Sequence, residues 1–148
     1  MDAIDKLIEK ARGTGAEVWI AGPATTADID EVERALQVGF PPSYREFLAN
    51  YGAMSLGDNA VSGITDEGPL LGNGGGVHYD TLRLRAEAAL PVQLVVVGVH
   101  EDGAYCLDTS RRMLGGECSV VNFQYRSNQH DVPIAADFHQ WLLRFVFG

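Results

Sequence analysis

Two tight turns between three short apolar segments restrict the fold of this chain more than any other feature. Residues 92–99 (VQLVVVGV) are valine-rich, Asp102-Gly103 offers a left-handed turn, residues 104–107 return, and Gly115-Gly116 marks a second turn before 118–123 (CSVVNF). The valine-rich composition suits a strand buried on both faces or a central strand. Connections this short join antiparallel neighbours only, because parallel strands need a crossover of about a dozen residues or more. The segment therefore predicts an antiparallel meander of at least three strands.

Helical spacing surrounds it. Ile4, Leu7, Ile8 and Ala11 fall on one face, with Gly13 and Gly15 placed to end that helix in a left-handed turn. Residues 17–21 (EVWIA) read as a short strand or an extended segment before Gly22-Pro23. Thr25 or Thr26 then supplies a capping hydroxyl, and Asp28, Asp30 and Glu31 suit the first turn of a second helix whose apolar face is Ile29, Val32, Ala35 and Leu36. Gly39 closes it and Phe40 packs back over its end. After Pro41-Pro42, Ser43 and Glu46 form a capping-box pattern, and Tyr44, Phe47, Leu48 and Tyr51 make a buried stripe that Gly52 terminates.

Residues 53–77 are glycine-rich, with one strand predicted at 61–65. A fourth helix over 79–90, starting at Asp80 or Thr81, places Leu82, Arg85, Ala86 and Ala89 on one face until Pro91 ends it. The last helix, 135–147, carries Phe138, Trp141, Leu142, Phe145 and Val146 at i, i+3, i+4, i+7 and i+8. No repeat and no second composition regime divides the 148 residues, a length suited to one domain, so a single α+β domain is expected over 1–148: an antiparallel sheet with flanking helices.

Twenty acidic residues against eleven basic ones give a formal charge of -9, which repels phosphate backbones and argues against nucleic acid as a ligand. The same field favours encounter with a basic protein, although acidity also serves solubility alone. Charges run through residues 1–12 where an export signal needs an apolar run, and the longest near-continuous apolar stretch, 90–99, is about half of a membrane-spanning helix. A cytoplasmic protein without membrane contact is expected.

Chemistry is sparse. Gly72-Asn73-Gly74-Gly75-Gly76 lacks the Lys and Ser/Thr of a phosphate-binding loop, which leaves a flexible or tight-turning loop, or a mobile contact loop. His78, His100, His130 and His139 occur singly, outside any metal-binding spacing, and His100 beside the hairpin tip reads as solvent-facing. Cys106 and Cys118 lack paired or activating patterns and read as half-buried small hydrophobes, and no serine sits in a Gly-x-Ser-x-Gly elbow. No catalytic residue, metal or cofactor is assigned. A small hydrolase whose site assembles only in space is a third reading behind the two binding functions below.

Ile29, Val32, Glu33 and Leu36, followed by residues 39–48 (GFPPSYREFL), resemble the acidic helix and "LP-x-x-Y-x-x-F-L" segment of the SUKH superfamily, the group that includes the Smi and Knr fungal cell-wall regulators and many bacterial immunity proteins. Val97-Gly98, Asp102-Gly103 and residues 105–109 (YCLDT) are similar to that family's strand, Asp-Gly turn and "cLDt" strand, and 138–142 (FHQWL) to its final helix. Phe40 replaces a common leucine, and the glycine-rich insertion around Asn73 departs from the pattern. The resemblance implies a non-enzymatic domain, often encoded beside a toxin that it inactivates, frequently a nuclease. Tyr44, Phe47 and Trp141 would then pack, Gly39 and Gly103 turn, and Asp108 cap a loop.

The expected function is an immunity protein that binds a cognate toxin, a basic nuclease domain. The alternative is a regulatory or scaffolding module. Carboxylates in loops, where no helix dipole explains them, are the candidate partner contacts: Asp66 and Glu67 beside the glycine-rich loop, and Glu101 and Asp102 at the hairpin tip. Each also suits a solvated turn.

Overall fold

The computed structural model describes residues 2–70, 72–127 and 132–148. Along the chain lie α1 (Asp2–Gly13), β1 (Val18–Ile20), α2 (Thr26–Leu36), α3 (Pro42–Tyr51), β2 (Met54–Leu56), β3 (Asn59–Val61), α4 (Val77–Glu87), β4 (Leu94–His100), β5 (Gly103–Arg112), β6 (Cys118–Gln124), β7 (Pro133–Ala135) and α5 (Phe138–Trp141), which continues into a π-helical turn, Leu142–Val146. The predicted meander is present and gains a fourth strand: β4, β5, β6 and β7 pair in that order, each antiparallel to the next.

Strand alternation decides where the core sits. Side chains two apart in a strand share a face, so Val95 and Val97 of β4 pack with α2, α3 and α5, whereas Leu94 and Val96 pack with Leu84 of α4 and with Leu90. The same division sends Leu107 and Val120 to the first side, and Ala104, Cys106, Val121 and Phe123 to the second. The sheet is therefore covered on both faces, as the valine run predicts, and the protein is α+β with helices flanking an antiparallel sheet. Gly98 serves this packing, because a Cβ there would meet the Trp141 ring at 3.1 Å.

A second, small sheet goes beyond the expectation. β1, β2 and β3 pair antiparallel in that order, with Trp19 opposite Ser55 and Ser55 opposite Ala60. β1 falls within the predicted 17–21, but β2 lies in a stretch that reads as loop, and β3 ends at Val61, where the predicted strand 61–65 begins. Three-residue strands leave too short an alternation to stand out from the glycine-rich stretch around them.

The first three helices form where the periodicity places them. Thr25 Oγ1 accepts the Asp28 amide at 3.1 Å, and Ile29, Val32 and Leu36 are buried, although Ala35 is exposed. Gln37, in a left-handed conformation, rather than Gly39, ends α2. The Ser43–Glu46 capping box is replaced by a distant partner: Ser43 N and Oγ donate to the Glu117 carboxylate at 3.0 and 2.7 Å. Tyr44, Phe47, Leu48 and Tyr51 are buried as expected. The final helix starts later than predicted, at Phe138, because Asp137 Oδ1 caps it by accepting the Gln140 amide at 2.8 Å and residues 133–135 pair as β7.

The fourth helix faces the other way from expectation. Its buried positions are Val77, Asp80, Thr81 and Leu84, while Leu82, Ala86 and Ala89 are exposed. The spacing i, i+3, i+4, i+7 is helical, but two of its four members are polar and disguise it. They are admitted because they are bonded: Thr81 Oγ1 accepts the Val96 amide at 3.1 Å, and the Asp80 carboxylate has the partners described below. Arg85 is half-buried on the predicted side, where Nη2 donates to Leu36 O at 3.1 Å and Val92 O at 2.8 Å, and burial lowers its pKa.

Candidate binding surface

The excursion between β3 and α4 is closed at its base by the main chain. Gly63 N donates to Gly75 O at 2.9 Å and Val77 N to Gly63 O at 2.7 Å, so that Gly63 bridges Gly76 in parallel. Such a surface loop with its ends together is an Ω-loop. Gly63 has no alternative residue, since a Cβ would stand 1.8 Å from the Gly52 carbonyl oxygen. Asp80 is the second fastening: its Oδ2 accepts from Ser62 Oγ at 2.7 Å and from Gly75 N at 3.1 Å. Burial raises the Asp80 pKa, and the bonds from Ser62 and Gly75 oppose the rise. Tyr44, held by its hydroxyl to Ser62 O at 2.6 Å, has its own pKa raised by burial and, second, by Asp80. The glycine-rich stretch is thus the tight-turning kind at its C-terminal half, where Gly75 has φ +100°.

Asp66 and Glu67 are exposed on this loop. Asn73 Nδ2 donates to Glu67 Oε2 at 3.4 Å, and the two carboxylates share a depression with Trp19, Thr65, Asn73 and Gly74. Glu101 and Asp102, also exposed, are the two-residue link of the β4–β5 hairpin and line a separate depression with Gln124, Tyr125 and Arg126. The four predicted contact residues therefore form two pairs, not one cluster. The hairpin turn is not left-handed, because Glu101, Asp102 and Gly103 all lack positive φ; Gly103 is required by space instead, with a Cβ 1.8 Å from Phe123 O.

His100 is an organiser of this tip rather than a solvent-facing side chain. It is half-buried against Tyr105 (ring centroids 4.7 Å), its Nδ1 accepts the Asp102 amide at 3.2 Å, and its Nε2 lies 2.7 Å from Asn122 Oδ1. An accepting Nδ1 places the proton of the neutral ring on Nε2, which donates to Asn122. Asp108, expected to cap a loop, lies inside β5 instead: buried, it accepts from Ser110 N at 3.1 Å and Ser110 Oγ at 2.6 Å where the β5–β6 register shifts.

Cys106 and Cys118 are fully buried rather than half-buried, and burial raises both thiols, Cys118 to about 11. His130 lies outside the described residues. Among the described residues no three His, Cys, Asp or Glu side chains come together as a metal site, and no helix is long and apolar enough to cross a membrane. What the sequence does not announce is apolar exposure near the loop: Leu70, Tyr79 and Leu82 surround a shallow groove with Gly72, His78 and Arg83. The face expected for α4 puts Leu82 in the core; the true stripe, Val77 to Leu84, leaves Tyr79 and Leu82 outside it at i, i+3.

The two-sided antiparallel sheet, its small companion sheet and the flanking helices define a small α+β fold that carries loop carboxylates and exposed aromatic side chains on its surface. The SMI1-KNR4 cell-wall family (SUKH_5) matches residues 2–147, and the chain belongs to that family. It is 31% identical over 93 residues to a Bacillus subtilis (strain 168) protein named "Uncharacterized protein YnaB", in an alignment covering 63% of this chain and 56% of that protein. This chain thus spans little more than half of that relative. A crystal structure of a protein from Pseudomonas syringae pv. tomato shares the fold, with a TM-score of 0.68 at 14% identity, covering 97% of this chain and 98% of that one.

Proposed function

We propose that this chain is an immunity protein that acts in the cytoplasm, binding a cognate polymorphic toxin and neutralising it without catalysis. Family membership over residues 2–147 carries the proposal. The formal charge of -9 gives it a direction, because a nuclease toxin needs a cationic surface to hold phosphates, and an acidic protein can occupy that field while offering no cleavable bond. Asp66, Glu67, Glu101 and Asp102, all exposed, are the carboxylates proposed to meet it.

The test is protection. The chain is tagged in its native host, its partner is identified by mass spectrometry, and the partner's C-terminal domain is expressed in cells with and without this chain. Killing only without it supports the proposal. Recovery solely of metabolic or cell-wall proteins favours a regulatory module, the reading that the cell-wall wording of the family's name supports. Replacing all four carboxylates by amides is expected to slow association several-fold at low salt, with the gap narrowing as salt screens the field. Equal rates at every salt concentration would remove electrostatic capture.

A further inference from the structure

Half of the large apolar side chains exposed among the described residues line three depressions that the Ω-loop and α4 connect. Trp19, Leu70, Tyr79, Leu82 and Tyr125 are each between 36% and 48% exposed. The Trp19 depression contains Asn73 and Gly74, and the α4 groove contains Leu70 and Gly72 of the same Ω-loop, so the two adjoin through it. Arg83 carries the connection onward. Burial alone would lower its pKa, but Glu87 and the Tyr125 hydroxyl, both in side-chain hydrogen-bonding range, raise it. Tyr125 in turn lines the depression of Glu101 and Asp102.

The carboxylate pairs therefore stand at the two ends of a strip whose middle is apolar and aromatic. This is the anatomy of a binding face, with anchor side chains at the centre and charge at the rim. Among the described residues, two cations lie on it. Arg83 is paired with Glu87 at 3.2 Å, and Arg126 shares its depression with both Glu101 and Asp102. Carboxylates thus dominate, and a second copy of a chain carrying -9 would meet like charge at both ends.

We infer that this strip, from Trp19 across the loop and the outer face of α4 to the hairpin tip, is the docking surface, and that it receives a basic polypeptide segment presenting an apolar side chain between lysines or arginines. The inference rests on the proposed immunity function for the partner being a toxin. The apolar centre supplies residence on the surface, and the acidic ends set orientation and encounter rate.

The test uses the full chain in its producing cells with a benzoylphenylalanine photocrosslinker at Tyr79. A control carries it at Leu114, an exposed apolar position beyond the far end of β5, ten residues and roughly 30 Å along the strand. The expected result is one crosslinked polypeptide from Tyr79 and none from Leu114, with the crosslinked segment flanked by Lys or Arg. That polypeptide, purified, should bind Leu82→Asp at least about tenfold more weakly than wild type. Unchanged circular dichroism and melting of Leu82→Asp confirm that the fold is intact.

Crosslinking from Leu114 alone, equal yields from both positions, no crosslink at all, a crosslinked dimer of this chain, an acidic crosslinked segment, or unweakened binding by Leu82→Asp would each overturn the docking surface. The partner's identity is read separately. A non-toxic partner that still loses binding to Leu82→Asp leaves the surface standing and removes the immunity function. A toxin that binds Leu82→Asp as it binds wild type removes the surface and leaves the function.

Discussion

Truncating Phe47 to alanine tests the central packing of α3. Its side chain is fully buried, with ring centroids 6.1 Å from Tyr44, 5.8 Å from Tyr51 and 5.2 Å from Phe138. Loss of a buried phenylalanine costs about 3 to 5 kcal/mol, the spread reflecting how far neighbours collapse into the hole. Here they are held back. Tyr44 is tied by its hydroxyl to Ser62 O at 2.6 Å, and Phe138 begins a helix capped by Asp137. The upper half of the range, about 4 kcal/mol, is therefore expected. In equilibrium urea unfolding followed by tryptophan fluorescence and circular dichroism, a slope of about 2 kcal/mol/M converts this to a midpoint lowered by about 2 M. Phe47→Leu, which keeps most of the volume, is expected to lose about 1.5 kcal/mol or less. A loss below about 1 kcal/mol for Phe47→Ala at unchanged slope would refute the argument, since it would mean that this ring is not enclosed.

Three further outcomes follow from buried groups. The Asp80 pKa is raised in the fold, so its contribution to stability is fully present below its unfolded value, near 3.8, and is lost as pH rises through the folded value. Relative to Asp80→Asn, wild type should therefore lose stability as pH climbs from about 4 towards neutrality, and a parallel pair of pH–stability curves would contradict this. Gly63→Ala forces a methyl towards the Gly52 carbonyl and should cost about 3 kcal/mol or more by chemical denaturation, whereas Gly74→Ala, with open space around it, should cost under about 1 kcal/mol. Cys106 and Cys118 are fully buried with raised thiol pKa values, so native protein at about pH 8 should resist a thiol reagent that modifies both in denaturant, and rapid labelling of either in the native state would contradict their placement.

The long periodic segments are legible in the amino-acid sequence itself. Tyr44, Phe47, Leu48 and Tyr51 announce a buried helix face, and the valines before Asp102-Gly103 announce a strand covered on both sides, because each pattern repeats often enough to have one explanation. α4 shows the limit. Its buried Asp80 and Thr81 belong to a tertiary network with Ser62, Gly75 and Val96, and no local rule distinguishes a polar residue that will find such partners from one that stays in water. The misplaced face also conceals the proposed docking strip, since a leucine counted in the core is not counted among the exposed side chains. Charge and loop position point to the four carboxylates, but their arrangement as two pairs flanking an apolar strip depends on Trp19, Leu70 and Tyr125, which sequence distance separates.

The closure of the Ω-loop has an evolutionary side. Its base is made by main-chain groups of Gly63, Gly75 and Val77, and none of the described residues between 65 and 74 is buried. The residues that face outward are thus uncoupled from those that keep the excursion shut, and a lineage can rewrite the tip, in composition or in length, without opening the base. Variation in the loop and constancy at its hinge points are the expected genetic trace, and a foreign tip grafted between Ile64 and Gly75 is expected to leave the two sheets as they are while changing one part of the proposed docking strip, the outer face of α4 and the hairpin tip being untouched.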